Sequence, residues 1–200
     1  MSKNFPMQKA RRDVISETVF LFLFFCVIGW LYEVSLAILY GYGFINRGFL
    51  FGPYLPLYGF GALLLIACLR KLIQKPIRIG KLLITPVLVF LAIVLITTVL
   101  EYAVGFALEM IFHQRFWDYS SYRYQLHGRI SLSASIRFGV CGMVFLYLLA
   151  PLFTKLIGKI PPKLRFDLSM LILLLLAADL ICTLTIASVR GFNPMLGQAR

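Results

Sequence analysis

The chain is poor in acidic residues and in charge altogether. Only 8 of its 200 residues are Asp or Glu, and charged residues of both signs make up 14% of the sequence. Hydrophobic residues make up 60%, and the mean hydropathy is +0.88. A water-soluble domain of this length has too little polar surface to cover such an apolar content. The composition therefore excludes an ordinary soluble domain and predicts an integral membrane protein.

Several motifs of enzymes and nucleotide-binding proteins are also missing. The chain has no Gly-x-x-x-x-Gly-Lys-Ser/Thr phosphate loop, no His-Glu-x-x-His zinc helix and no Gly-x-Ser-x-Gly nucleophile turn. Its four cysteines form no Cys-x-x-Cys pair and lie in apolar runs, as is typical of small buried side chains. We therefore expect no metal and no cofactor. The net charge of +12 is typical of basic loops facing lipid headgroups rather than of a nucleic-acid partner.

Five apolar runs are long enough to cross a membrane as helices, which takes about 20 residues each. They are Val19–Tyr40, Phe49–Leu69, Leu83–Ala107, Ile130–Phe153 and Phe166–Val189. Thirteen of the twenty Lys and Arg residues lie before the first run or in the connections after the second and fourth runs. The positive-inside rule then predicts a multi-pass protein with a basic cytoplasmic N-terminus over residues 1–18 and its C-terminus outside.

The sequence also predicts an internal repeat, found by shifting the chain along itself by 68 or 80 residues. Equivalent positions include Glu33 and Glu101 for the first shift, and Gly59 and Gly139 for the second. Residues 19–69 and 83–153 would then form two tandem helical-hairpin repeats, parallel because two spans separate equivalent positions. We expect residues 1–200 to form a single all-α, polytopic transmembrane domain, in which a fifth helix over residues 166–189 closes the bundle.

Charged side chains inside the predicted spans are the strongest indication of a site. A charge at membrane depth costs at least about 3 kcal/mol unless it is paired or hydrated. Four residues meet this description: Glu33, Glu101, Arg137 and Asp179. We expect Arg137 to lie within about 4 Å of one of the three acids, the distance at which opposite charges pair. The other two acids would be protonated, hydrated or bound to a cation.

Prolines interrupt the outer half of the second run. Pro53 and Pro56 each remove a backbone donor and restrict the preceding residue. We therefore expect regular helix only from Pro56, over the fifteen residues to Arg70, which is too short to cross alone. Residues 46–55 would be irregular backbone, which is tolerated at membrane depth only beside protein or a water-filled cavity. An outward-open polar cavity in the outer leaflet follows as a hypothesis.

The connections on the predicted outer side contain further candidate ligand residues. They are Asn46, Arg47, Trp117, Asp118 and Arg129. The loop with the tryptophan is rich in aromatic residues, which is typical of interfacial anchoring and also fits a lid over the cavity. The two histidines of this loop, His113 and His127, fit solvated or turn residues better than metal ligands.

Two blocks of residues resemble a bacterial family of membrane proteins. The first block contains Gly29-Trp30-Leu31-Tyr32-Glu33, Asn46-Arg47-Gly48-Phe49 and Gly52-Pro53-Tyr54-Leu55-Pro56, and the second contains Trp117-Asp118-Tyr119-Ser120 and Gly128-Arg129-Ile130-Ser131. Over roughly residues 20–190 the chain is similar to the family described as Putative ABC-transporter type IV. The resemblance implies a permease of the bacterial cytoplasmic membrane, surrounded by membrane lipid. It also implies a separate ATPase subunit as partner, and five spans suggest a homo-oligomer.

Three functions stay open from the sequence. The leading one is a transport-related membrane protein with an outward-facing polar site in the outer leaflet that binds a cation, a proton or a small solute. The first alternative is a membrane enzyme acting on lipid or cell-envelope precursors, with paired intramembrane carboxylates as acid and base. The second alternative is an assembly or regulatory partner whose charged core is structural.

Overall fold

The structure is a computed structural model that describes residues 5–44, 46, 48–75 and 77–190. Within these residues, five helices are long and apolar enough to cross a membrane. They are Arg11–Leu39, Pro56–Gln74, Thr85–Phe112, Leu132–Ile157 and Pro162–Ile186. The all-α class and the five predicted spans are therefore confirmed.

The helices are joined by two short antiparallel hairpins. In chain order the elements are α1 (Phe5–Leu39), α2 (Pro56–Gln74), β1 (Arg78–Ile79), β2 (Leu82–Leu83), α3 (Thr85–Phe112), β3 (Gln125–Leu126), β4 (Ile130–Ser131), α4 (Leu132–Val144), a π-helical segment (Phe145–Leu149), α5 (Ala150–Ile157) and α6 (Pro162–Arg190). β1 pairs with β2 and β3 with β4. The chain divides into two compact units: a terminal unit of residues 1–63 and 150–200, and a central unit of residues 64–149.

The predicted bounds of the helix in the second span are confirmed at its N-terminal end and wrong at its C-terminal end. Helix α2 begins at Pro56, and the described residues from 46 to 55 are not helical. However, α2 has 19 residues and reaches Gln74, so it is long enough to cross. The residues after Arg70 are good helix formers, and the next constraint is Pro76, which disfavours helical backbone at the residue before it.

The third and fourth spans also differ from their predicted bounds. Helix α3 continues past Ala107 to Phe112 and ends where His113 adopts a left-handed backbone, with φ of 54°. Helix α4 starts two residues later than predicted, because Ile130 and Ser131 form strand β4. The Ser131 hydroxyl then accepts a hydrogen bond from the backbone N–H of Ala134 at 3.3 Å, which caps the first turn of α4.

A glycine contact recurs at equivalent positions of the two predicted repeats. A Cβ atom at Gly59 of α2 would lie 2.7 Å from the ring of Phe22 on α1, and one at Gly139 of α4 would lie 2.6 Å from the ring of Phe90 on α3. The shift of 68 residues places Phe22 on Phe90, and the shift of 80 places Gly59 on Gly139. The tandem repeat stays a prediction, and this matching contact supports it.

We expect Gly59→Ala and Gly139→Ala to destabilise the protein by similar amounts, each about 1–3 kcal/mol, because the added methyl overpacks the same kind of helix contact. Gly158→Ala is the control, since a Cβ there would come no closer than 3.3 Å to another atom. Equilibrium unfolding in mixed micelles measures the three effects. A large loss for one of the two glycines and none for the other would contradict matched packing.

Helices α1 and α6 are joined near one end by an ion pair in the terminal unit. Arg165 is buried, and its Nη2 lies 2.6 Å from Oδ1 of Asp13 while its Nε donates to the Ser16 hydroxyl at 3.2 Å. The sequence indicated only a basic connection here. In the structure Arg165 links α6 to α1. Its partner Asp13 lies 152 residues away in the sequence, so no local pattern predicts the pair.

Candidate functional site

The connection between α3 and α4, residues 113–131, folds back on itself and is here called the α3–α4 loop. The indole N–H of Trp117 donates to the backbone carbonyl of Arg129 at 2.8 Å, and the backbone N–H of Tyr119 donates to the carbonyl of Gly128 at 2.8 Å. His127 and Gly128 have φ values of 54° and 67°, which turn the chain between β3 and β4. Two predicted site residues, Trp117 and Arg129, are thus brought together.

A carboxylate near the end of α3 holds this loop against the helix. Glu109 Oε1 lies 3.2 Å from Nε of Arg115, and its Oε2 lies 2.8 Å from Nη2 of Arg129. The Arg129 guanidinium also stacks over the rings of Tyr102 and Phe106, with 5.5 and 5.3 Å to the centroids. Glu109 was not among the residues selected from the sequence, because only the fold of the loop brings Arg129 next to it.

The predicted site residue Asp118 lies in the same cluster. Its Oδ1 accepts hydrogen bonds from the hydroxyl and the backbone N–H of Ser120 at 2.5 and 2.9 Å, and lies 3.5 Å from Nη1 of Arg115. These bonds, led by the one from the Ser120 hydroxyl, lower the pKa of Asp118. The carboxylate is therefore charged at neutral pH. Its stabilising contacts are lost only when the pH falls below the usual carboxyl range.

An open recess of about 480 Å³ lies beside this cluster. Its lining residues are Tyr102, Arg115, Ser120, Gln125, His127, Gly128 and Arg129. The Tyr102 hydroxyl and the Nδ1 atom of His127 lie 2.9 Å apart. Each guanidinium carries five N–H donors, so Glu109 and Asp118 together leave donor capacity on the two arginines. The recess is therefore suited to a group with several hydrogen-bond acceptors, such as a carboxylate or a phosphate.

The two charged residues predicted at membrane depth in the central unit have different surroundings. Glu101 is buried, with 6% of its surface exposed, and its Oε1 accepts a hydrogen bond from the Tyr119 hydroxyl at 2.9 Å. This bond ties the α3–α4 loop to the middle of α3. Arg137 donates from Nε to the backbone carbonyl of Ser133 at 3.3 Å. The ion pair expected for Arg137 stays a prediction.

In the terminal unit, Asp179 of α6 anchors the irregular backbone before α2. Its carboxylate accepts hydrogen bonds from the backbone N–H groups of Phe51 and Gly52, at 3.1 and 2.9 Å, and from the hydroxyls of Tyr54 and Thr183, the latter at 3.1 Å. A carboxylate has about four lone-pair sites, so these donors fill it. This geometry supports a structural role for Asp179 over the cation or proton site considered from the sequence.

Two further predicted site residues of the terminal unit also have local partners. Glu33 accepts a hydrogen bond from the Tyr58 hydroxyl at 2.5 Å. The side-chain oxygen of Asn46 accepts from the indole N–H of Trp30 at 2.5 Å, and its amide N–H donates to the carbonyl of Phe51 at 3.3 Å. Arg47 lies outside the described residues.

We expect Glu109→Gln to loosen the α3–α4 loop, because a neutral amide cannot neutralise both Arg115 and Arg129. Limited trypsin digestion in detergent should cut the loop faster in the variant than in the wild type. Gln114→Ala, a neutral change at an exposed position of the same loop, is the control. Equal cleavage rates for the Glu109 variant and the wild type would show that Glu109 does not hold the loop.

Comparison with known proteins identifies a family. A sequence model of the family described as Putative ABC-transporter type IV matches residues 20–184. The matched region contains every candidate site residue, from Glu33 to Asp179. No match was found among the curated proteins, and none among the solved structures.

Proposed function

The chain belongs to the Putative ABC-transporter type IV family and is a transport-related, multi-pass membrane protein, and we propose that the recess of the α3–α4 loop is its ligand site. The ligand we infer carries an anionic group and reaches the recess from the outer side of the membrane. The observation that carries this proposal is the grouping of Arg115, His127 and Arg129 around one open recess. Guanidinium groups bind carboxylates and phosphates through paired N–H donors.

The carboxylates of the chain favour an anion over a cation as ligand. Glu109 and Asp118 already face arginines, and Asp179 accepts four hydrogen bonds. The enzyme alternative, with paired carboxylates as acid and base, would need two carboxylates that face each other. In the terminal unit, Glu33 and Asp179 instead accept hydrogen bonds from separate tyrosines. These contacts support binding and transport over the enzyme alternative.

The energy source in this proposal is a separate ATPase subunit, since the sequence contains no phosphate loop of its own. The β1–β2 hairpin on the predicted cytoplasmic side offers a contact surface, because Ile79 and Leu82 are each 68% exposed. ATPase activity that co-purifies with the tagged chain should be lost when both are changed to glutamate. Unchanged co-purifying activity would argue against this contact.

The orientation of the chain is part of the proposal, because the recess must face outward. A cysteine at Arg123 should react with a membrane-impermeant maleimide in intact cells, and a cysteine at Gln74 should react only after permeabilisation. Both are placed in a background without the four native cysteines. The reverse labelling pattern would place the recess inside the cell.

Inorganic phosphate is the probe for the recess, with chloride at equal ionic strength as the reference. A ligand at a hundred times its Kd stabilises the folded state by about 2.7 kcal/mol, so phosphate should raise the thermal transition of the wild type. Arg129→Gln should abolish the shift. His127→Gln should reduce it while leaving the Glu109 ion pairs in place. Equal transitions in phosphate and chloride would overturn the proposed site.

A further inference from the structure

A second, apolar groove of about 500 Å³ adjoins the recess in the central unit. One wall is a face of α3, and the other is formed by the β3–β4 hairpin and the start of α4. Its lining includes Leu91, Leu95, Thr98, Tyr124, Gln125 and Leu132. Gln125 also lines the polar recess, so the two cavities adjoin at the β3–β4 hairpin.

The polar and apolar cavities follow each other along one face of α3. Leu91, Leu95, Thr98 and Tyr102 are spaced by three or four residues and therefore lie on the same side of the helix. The first three line the groove, and Tyr102 lines the recess. From Leu91 to Tyr102 the helix rises about 16 Å. In the proposed orientation the groove lies deeper in the membrane and the recess lies closer to the outer surface, which is the order of tail and head in an outer-leaflet lipid.

We propose that the two cavities together bind one phospholipid of the outer leaflet. Its phosphate contacts the guanidinium groups of Arg115 and Arg129, and one acyl chain follows the groove from the hairpin toward Leu91. This inference rests on the proposed function and names the class of its ligand. A free anion would use only the recess, whereas a phospholipid accounts for the groove and its position as well.

Recognition in this site comes from the phosphate. An acyl chain gains little by moving from the bilayer into an apolar groove, because lipid tails are as apolar as leucine. The charged side chains around the recess balance each other, with Arg115 and Arg129 facing Glu109 and Asp118. The net charge of the headgroup is therefore unimportant. Phosphatidylethanolamine and phosphatidylglycerol bind comparably, and diacylglycerol, which has no phosphate, binds weakly.

Native mass spectrometry of the detergent-purified protein, titrated with each of these three lipids, tests the proposal. The first phospholipid molecule bound to each protein should be retained at about tenfold lower lipid concentration than the first diacylglycerol molecule. Leu95→Trp blocks the path of the acyl chain of a lipid whose phosphate lies in the recess, so it should remove this preference without changing the charged cluster. Leu174→Trp on α6 is the matched control, since Leu95 and Leu174 are 65% and 67% exposed. Its lipid retention should equal that of the wild type.

The variants also separate this inference from the proposed function. Replacing Arg115 and Arg129 together by glutamine should weaken phospholipid retention and abolish stabilisation by inorganic phosphate. Leu95→Trp should weaken phospholipid retention alone. If phosphate still stabilises the protein but Leu95→Trp retains phospholipid like the wild type, the recess binds a free solute and the lipid inference is wrong. Equal retention of phospholipid and diacylglycerol would also overturn the lipid inference, because the retained lipid would then be unselective boundary lipid.

Discussion

Replacing Asp179 with leucine is expected to lower the free energy of unfolding by about 3–5 kcal/mol. The change leaves the backbone N–H groups of Phe51 and Gly52 and the Tyr54 hydroxyl without their acceptor. A donor left unsatisfied costs about 1–3 kcal/mol where water does not reach it, and a membrane supplies little water to replace the lost bond. Equilibrium unfolding in mixed micelles measures the loss, and hydrogen exchange should rise in residues 48–55.

Two controls show whether the effect comes from these hydrogen bonds. Asp179→Asn keeps one acceptor oxygen and should lose clearly less stability than the leucine variant. Asp167→Leu makes the same exchange at an exposed position of the same helix and should change stability little. If Asp179→Leu stays within about 1 kcal/mol of the wild type, its hydrogen bonds do not hold residues 48–55, and a ligand role for Asp179 becomes tenable again.

Replacing Arg137 with leucine is expected to cost about 3–5 kcal/mol, the range found when one partner of a buried ion pair is removed. The sequence-based reason is that an Arg inside a span is stable only when an opposite charge or water compensates it. A second change in the same chain should restore part of the loss if it neutralises the partner acid. The candidate second changes are Glu33→Gln, Glu101→Gln and Asp179→Asn.

The double-mutant comparison identifies the partner, because only the true pair should show a large coupling energy. Arg137→Lys keeps the positive charge and should lose less stability than Arg137→Leu. If none of the three second changes recovers stability, the predicted pair does not exist. A variant that keeps its stability but loses the effect of phosphate would instead place that residue in the ligand site.

The spans were predictable because their signals are local. Hydropathy averaged over about 20 residues sets the number of spans, and a proline is tolerated in the first turn of a helix but disfavoured in its interior. Helix α2 accordingly begins at Pro56, as predicted from the residue alone. The bounds of α3 were not predictable, because its last turn is stabilised by contacts with the loop. The sequence alone gives Glu109 no special role, because only the fold brings Arg115 and Arg129 next to it.

The candidate site was predictable by residue type and only partly by role. Trp117, Asp118 and Arg129 were selected from the sequence, and the structure groups them around one loop. Asp179 was also selected, as a charge at membrane depth. Its four hydrogen-bond donors lie more than 120 residues earlier in the chain, or one helical turn later at Thr183. A sequence pattern shows that such a charge needs partners, but only the fold shows which partners it has.

The most direct test of the proposed ligand site is an experimental density map of the protein in nanodiscs prepared from its native membrane. The proposal predicts non-protein density in the recess within hydrogen-bond distance, about 3 Å, of the Arg115 or Arg129 guanidinium. The lipid inference predicts that this density continues along the groove beside Leu95. A map that resolves lipids elsewhere on the protein but shows the two guanidinium groups contacting only Glu109, Asp118 and water would contradict the account.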